Sequence, residues 1–167
     1  MTLGLPAFYD NLTRYGSNLI FHREDGGTAC PCLTPEGYRD PAWHIDNPGA
    51  VVCNEDGRIN VTVTNLLVKG HCQPVQAGAV RRLTTEVMHE MWGEVQMDDH
   101  LGFIPCKWAG MTINFDGFSD SGADYILYDN RRFTVVSVNK IADPLDGDPD
   151  HHYEVGLRLI KSDRVTD

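Results

Sequence analysis

The sequence predicts a mainly β fold: a small antiparallel β-barrel with a short N-terminal helix, one further short helix and a stapled loop insert. Three stretches predict it. Arg58 to Val68 (R-I-N-V-T-V-T-N-L-L-V) alternates apolar residues at Ile59, Val61 and Val63 and then becomes continuously apolar, as a β-strand does. Residues 124–160 read as a meander of strands near 124–128, 132–140 and 151–160, joined by a tight Asp-Asn turn and an acidic loop. Cys30 to Gly57 holds three of the five cysteines, one histidine, four prolines and three glycines. That stretch is too rich in turn residues to be a strand or a helix, so something other than regular hydrogen bonding must hold it.

Taken in order, Leu5 to Tyr15 reads as the N-terminal helix. Pro6 suits its first turn, Phe8, Leu12 and Tyr15 fall at helical spacing, and Gly16 ends it. Ser17 to His22 reads as a strand and Glu24 to Gly27 as a turn into the cysteine loop. After the Arg58–Val68 strand, Gly70, Pro74 and Gly78 are breaks, and adjacent His71 and Cys72 should face opposite ways. Thr84 to Trp92 reads as the second helix, with an apolar stripe through Met88, Met91 and Trp92. His100 to Pro105 reads as extended, with Asp98, Asp99 and His100 as a turn rather than a chemical cluster. Lys107 to Phe115 reads as a strand broken at Gly110, and Asp116 to Gly122 as a loop. The acidic loop Asp143–Asp150 lacks the order of a calcium loop and is expected to be solvated. His151 and His152 are expected on opposite faces.

A chain of 167 residues suits one barrel domain over 1–167, with the Cys/His-rich insert at about 23–58. Its hydrophobic fraction of 41% is ordinary for a globular protein, and its net charge of −10 opposes a grip on nucleic-acid phosphates. The same charge suits contact with DNA that must slide past without sticking. No basic segment followed by an apolar run opens the chain, and no apolar run approaches a membrane span, so the cell interior or a particle assembled there is expected.

The chemistry concentrates in the insert. Cys30 and Cys32 flank Pro31, Cys53 returns after a loop, and His44 stands between them. Zinc takes four thiolate and imidazole ligands in a tetrahedron, and Cys30, Cys32, His44 and Cys53 supply such a set. A site so filled is structural and leaves no open catalytic position. Three thiols in a surface loop, or a disulfide between two of them, are the competing readings; an odd cysteine count argues against the second. There is no G-x-S-x-G, no Gly-rich phosphate loop and no H-E-x-x-H, and the order of residues does not fit a zinc deaminase. No catalytic residue is expected, and a small zinc enzyme is the weaker alternative.

A short N-terminal helix, a strand, the loop C-P-C-L-T-P-E-G-Y-R-D-P returning to a cysteine and glycine, and a meander of the form D-x-I-x-Y-x-x-R-x-F-x-V-V-x-V…H-x-E-V-x-L-R-L follow one another here. This order resembles the head-to-tail stopper (head-closure) proteins of tailed bacteriophages. The resemblance covers most of the chain except Gln73 to Gly102, and the C-P-C loop is its most specific part. It implies a small β-barrel that forms a ring in the neck of the virion, joins the portal and adaptor to the tail, and closes the DNA exit channel after packaging. The implied partners are copies of itself, an adaptor above, a tail or tail-terminator protein below, and genomic DNA that passes without sequence-specific binding. Other connector subunits, an adaptor or a tail terminator, are the near alternatives. The chain departs from one form of the loop, in which C-P-C precedes C-x-x-C. Cys53 matches the second of those cysteines, the first falls at Ala50, and His44 takes its place in the ligand set.

Overall fold

The computed structural model describes residues 5–75, 98–119, 122–143 and 147–160. Among them lie α1 (Leu5–Tyr15), β1 (Ser17–Ala29), α2 (Pro41–Asp46), β2 (Arg58–Pro74), β3 (His100–Pro105), β4 (Lys107–Trp108), β5 (Met111–Thr112), β6 (Tyr125–Tyr128), β7 (Arg131–Ile141) and β8 (His152–Leu159). Six of the strands close into an antiparallel barrel in the order β1-β2-β3-β8-β7-β6, and β4 and β5 form a separate small hairpin. The fold is mainly β, with a closed barrel, two short helices and a Cys/His loop, as the sequence predicts. No helix among the described residues is long and apolar enough to cross a membrane.

Alternation sets the barrel interior. Leu19 and Phe21 of β1, Val68 and Cys72 of β2, Ile104 of β3, Ile126 of β6, Phe133 of β7, and Val155 and Leu157 of β8 all point inward and are buried. Each contributes about 1.5–3 kcal/mol by leaving water. A one-residue slip of any strand would turn its share outward, so the interior fixes the register. Gly70 faces the same interior; a Cβ there would lie 2.5 Å from Leu19 Cδ1, so the glycine makes room for the leucine. Ile113 and Phe115, beyond the β4–β5 hairpin, join this core, and Phe115 packs against Phe21 at 5.4 Å between ring centroids.

The tight turn predicted between β6 and β7 is Asp129-Asn130, with φ of 50° and 57° at the two residues. Left-handed backbone at both positions is the type I′ geometry that matches strand twist, and Asp and Asn tolerate it. On the outside, Leu12 of α1 is buried, Tyr9 stacks on Trp108, and the Tyr9 hydroxyl donates to the Lys107 carbonyl at 2.6 Å.

Several local expectations are corrected. β1 does not end at His22: it runs through Glu24–Gly27 to Ala29, because β2 offers a ladder partner along that whole length. Gly27 and Asn60, both at positive φ, sit across from each other as a kink in this ribbon. β2 likewise continues past Gly70 to Pro74, where β3 takes over as its partner. The insert between them therefore occupies 30–57. It contains a helix, α2, although its turn-rich composition argued against one. The helix expected at Thr84–Trp92 lies outside the described residues. Lys107 to Phe115 forms a two-residue hairpin and a loop in place of one broken strand.

Cys72 faces the barrel interior while His71 is exposed, as neighbours on a strand should be. His151 and His152 do not separate in that way. β8 begins only at His152, and the two rings sit 4.8 Å apart, both against Phe8. Asp99 is more than a turn residue: it is fully buried and takes a two-pronged ion pair from Arg158, at 3.1 Å on each carboxylate oxygen. The acidic loop is not simply solvated either. Asp143 is buried, and Asp150 meets Lys140 at 2.6 Å and Lys107 at 3.3 Å.

Candidate metal centre

The insert hangs from the far end of the β1–β2 ribbon. Its neck is closed by the Cys30 amide donating to the Gly57 carbonyl at 2.8 Å. After C-P-C the chain makes a small hairpin. Leu33 bridges Arg39, the Thr34 amide donates to the Tyr38 carbonyl at 2.8 Å, and Gly37 takes the left-handed position with φ of 85°. The Asp40 amide then donates to the Cys32 carbonyl at 2.9 Å, bringing the chain back to the cysteines.

Asp40 starts α2. Its carboxylate accepts from the Ala42 amide at 2.9 Å and Pro41 occupies the first turn. One turn later the helix presents His44, with Trp43 edge-on to its ring at 5.0 Å. Residues 51–53 return to Cys53. Asn54 then turns the chain into β2: its side-chain oxygen accepts from the Arg58 amide at 2.8 Å, and its side-chain amide donates to Glu24 of β1. Arg39 braces the same turn through the Asn54 carbonyl at 3.2 Å and Glu55 at 3.6 Å.

These connections bring all four sequence-predicted ligands together. The Sγ atoms of Cys30, Cys32 and Cys53 and the ring nitrogen of His44 lie within 4.8 Å of one another. His44 Nε2 is 3.6 Å from Cys30 Sγ and 3.5 Å from Cys53 Sγ, and the Cys32 and Cys53 sulfurs are 3.5 Å apart. All five cysteines are free thiols, so no disulfide competes for these sulfurs. Cys30 and Cys32 are buried, and His44 and Cys53 close the outer side.

Burial and crowding set the thiols of the cluster against one another. Burial pushes the Cys32 thiol up to about 12, and the neighbouring Cys30 and Cys53 sulfurs push the same way. Burial also opposes ionisation of Cys30, but hydrogen bonds from the Cys32 backbone and the other two thiols hold its pKa below the ordinary value. Left alone, the cluster tolerates a thiolate at one sulfur and resists it at another. A divalent cation inverts that balance, because it deprotonates coordinating thiols outright.

A shallow groove of about 520 Å³ runs beside the cluster, bordered by Tyr38, Pro41, Val52 and the ligands Cys32, His44 and Cys53. Asp40 also borders this groove, and its carboxylate caps α2. No protein-family model and no curated protein matches the chain.

Proposed function

We propose that Cys30, Cys32, His44 and Cys53 hold a structural zinc, and that the chain is a ring subunit of a tailed-phage neck, the stopper that closes the DNA exit channel. With Zn–S near 2.3 Å and Zn–N near 2.0–2.1 Å, a regular tetrahedron sets S···N at about 3.5 Å and S···S at about 3.8 Å. The observed spacings of 3.5 and 3.6 Å to His44 and 3.5 Å between Cys32 and Cys53 fit that ion with little adjustment. Four protein ligands fill the tetrahedron, which supports a structural role and a non-enzymatic chain.

One observation carries the neck reading: a closed six-stranded barrel bears the C-P-C insert at the tip of its first hairpin, in the chain order of the stopper proteins. In that role the barrel is the rigid body of the ring, and the metal holds a loop that buries too little apolar surface to order itself. Adaptors are mainly helical, so the strand content favours the stopper level over that alternative. A loop must enter the channel to block it, and Val75–Arg82 and Asp116–Gly122 are the candidates; the second is held at its start, where Arg23 donates to the Asp116 carbonyl at 3.0 Å and lies over the Phe118 ring at 5.6 Å. The first, beyond Val75, lies outside the described residues. The net charge of −10 supports a passage through which DNA moves without adhering.

The groove beside the candidate ligands is a feature that favours a zinc enzyme. Such an enzyme needs a vacated coordination position and a positioned general base, and Asp40 is already engaged. Counting copies of this chain per purified virion against the portal protein, by quantitative mass spectrometry, tests the reading. A ratio matching a whole small ring is expected; absence from virions would overturn it.

A further inference from the structure

The barrel closes through a short strand, and among the described residues this leaves two long strand edges without a ladder partner. β6 pairs with β1 only at Ile20–His22 and with β7 only at residues 131–133. β2 pairs with β3 only at residues 71–74. Among the described residues, nothing bonds to the outer edge of β2 at residues 61–68 or of β7 at residues 134–139. Bare edges invite pairing with another chain, and monomeric proteins blunt them with charges or proline. Neither stretch, V-T-V-T-N-L-L-V on β2 or T-V-V-S-V-N on β7, carries a charge or a proline in a chain of net charge −10, although β7 shifts register between Val135 and Ser137. Both are rich in β-branched residues, and Val63, Leu67 and Val138 are large apolar side chains exposed on them.

We infer that the β2 edge of one copy pairs with the β7 edge of the next, continuing the sheet from subunit to subunit. The strand directions support it. β7 runs in the direction of β1, being two antiparallel steps away through β6, and β2 runs opposite to β1. When copies are related by rotation about an axis along the barrel, β2 of one and β7 of its neighbour meet antiparallel, the stronger ladder. Two different edges in contact make a head-to-tail interface, which closes into a ring where the rotation permits. This deepens the neck reading by naming the contact between ring subunits, and the pairing itself is tested in the isolated chain.

Two single variants, Thr62→Cys and Asn139→Cys, are to be treated with a short bis-maleimide separately and mixed, in the presence of zinc. Linked dimers are expected only in the mixture. In parallel, Val63→Lys with Leu67→Lys, and separately Val138→Lys, change exposed side chains and should leave circular dichroism and metal content unaltered. In sedimentation these variants should stay monomeric at concentrations where the parent chain assembles. Linking of Thr62→Cys to itself would overturn the proposal in favour of a two-fold contact. A parent chain that is monomeric at every concentration, with β2 amides already protected from hydrogen exchange, would overturn it by showing the edge covered by its own chain. Assembly that the lysines do not disturb would also overturn it. Virion copy number remains a separate result: a ring ratio without the mixed cross-link sinks the edge pairing alone, and the cross-link without virion copies sinks the neck reading alone.

Discussion

Cys30 Sγ and His44 Nε2 lie 3.6 Å apart, although fourteen residues, a hairpin and the first turn of a helix separate them in the chain. The contact joins the start of the insert to its middle, and Cys53 then joins both to its end. One ion at this point would constrain three separate limbs of a segment that contains little regular structure.

Removing one ligand should therefore undo the insert and spare the barrel. Cys30→Ser and His44→Ala are each expected to weaken zinc binding by more than the roughly 100-fold that loss of a supporting partner costs. The near-ultraviolet signal of Trp43 should collapse while far-ultraviolet strand signal persists. Metal content after dialysis against a weak chelator measures the first effect and circular dichroism the second; full retention of metal in Cys30→Ser would remove that residue from the ligand set.

Gly57 closes the neck of the insert with φ of 68°, and a Cβ there would meet Leu33 Cδ2 at 2.6 Å. Gly57→Ala is expected to cost about 1–3 kcal/mol through backbone strain and the clash. The cost should fall on the insert, as faster zinc release to a chelator, with the barrel's urea midpoint little changed.

Much of this was legible in the sequence and some was not, for physical reasons. The β6–β7–β8 meander announces itself because one face of each strand is buried and Asp129-Asn130 suits its turn. The four ligands are legible because few residue types bind a transition metal. The extension of β1 through Glu24–Gly27 is not legible, since E-D-G-G reads locally as a turn and only the partner strand β2 overrides it. The helix α2 carried a readable signal, Asp40 as cap and Pro41 in the first turn, but the surrounding glycines and prolines masked it. Burial of Asp99 depends on Arg158, fifty-nine residues away, and no local pattern reveals that.

Asp99→Ala removes a fully buried carboxylate and the two-pronged contact it makes with Arg158. It is expected to destabilise the barrel by about 3 kcal/mol, the lower end for breaking a buried pair. Urea unfolding measures this, and in a double-mutant cycle with Arg158→Met the two losses should not add, as for residues in direct contact.

Burial of His152 makes stability depend on pH. Burial, and secondarily the neighbouring His151, lowers the His152 pKa from its ordinary 6.5 to about 4. The folded state then holds fewer protons than the unfolded state between those values. Stability contributed by neutral His152 is present above pH 6.5 and is lost as pH falls from there towards 4. The thermal midpoint should drop between pH 7 and pH 5, and His152→Gln should flatten that part of the curve; an unchanged slope would contradict the assignment.

X-ray absorption at the zinc edge, on protein loaded with one equivalent and freed of excess, tests the central claim most directly. The account predicts a single four-coordinate site with three sulfurs at about 2.3 Å and one imidazole nitrogen at about 2.0–2.1 Å. The signal should become three-sulfur without imidazole in His44→Ala wherever metal remains. A shell dominated by oxygen and nitrogen, or protein that takes up no zinc while Cys32 and Cys53 oxidise to a disulfide, would contradict it.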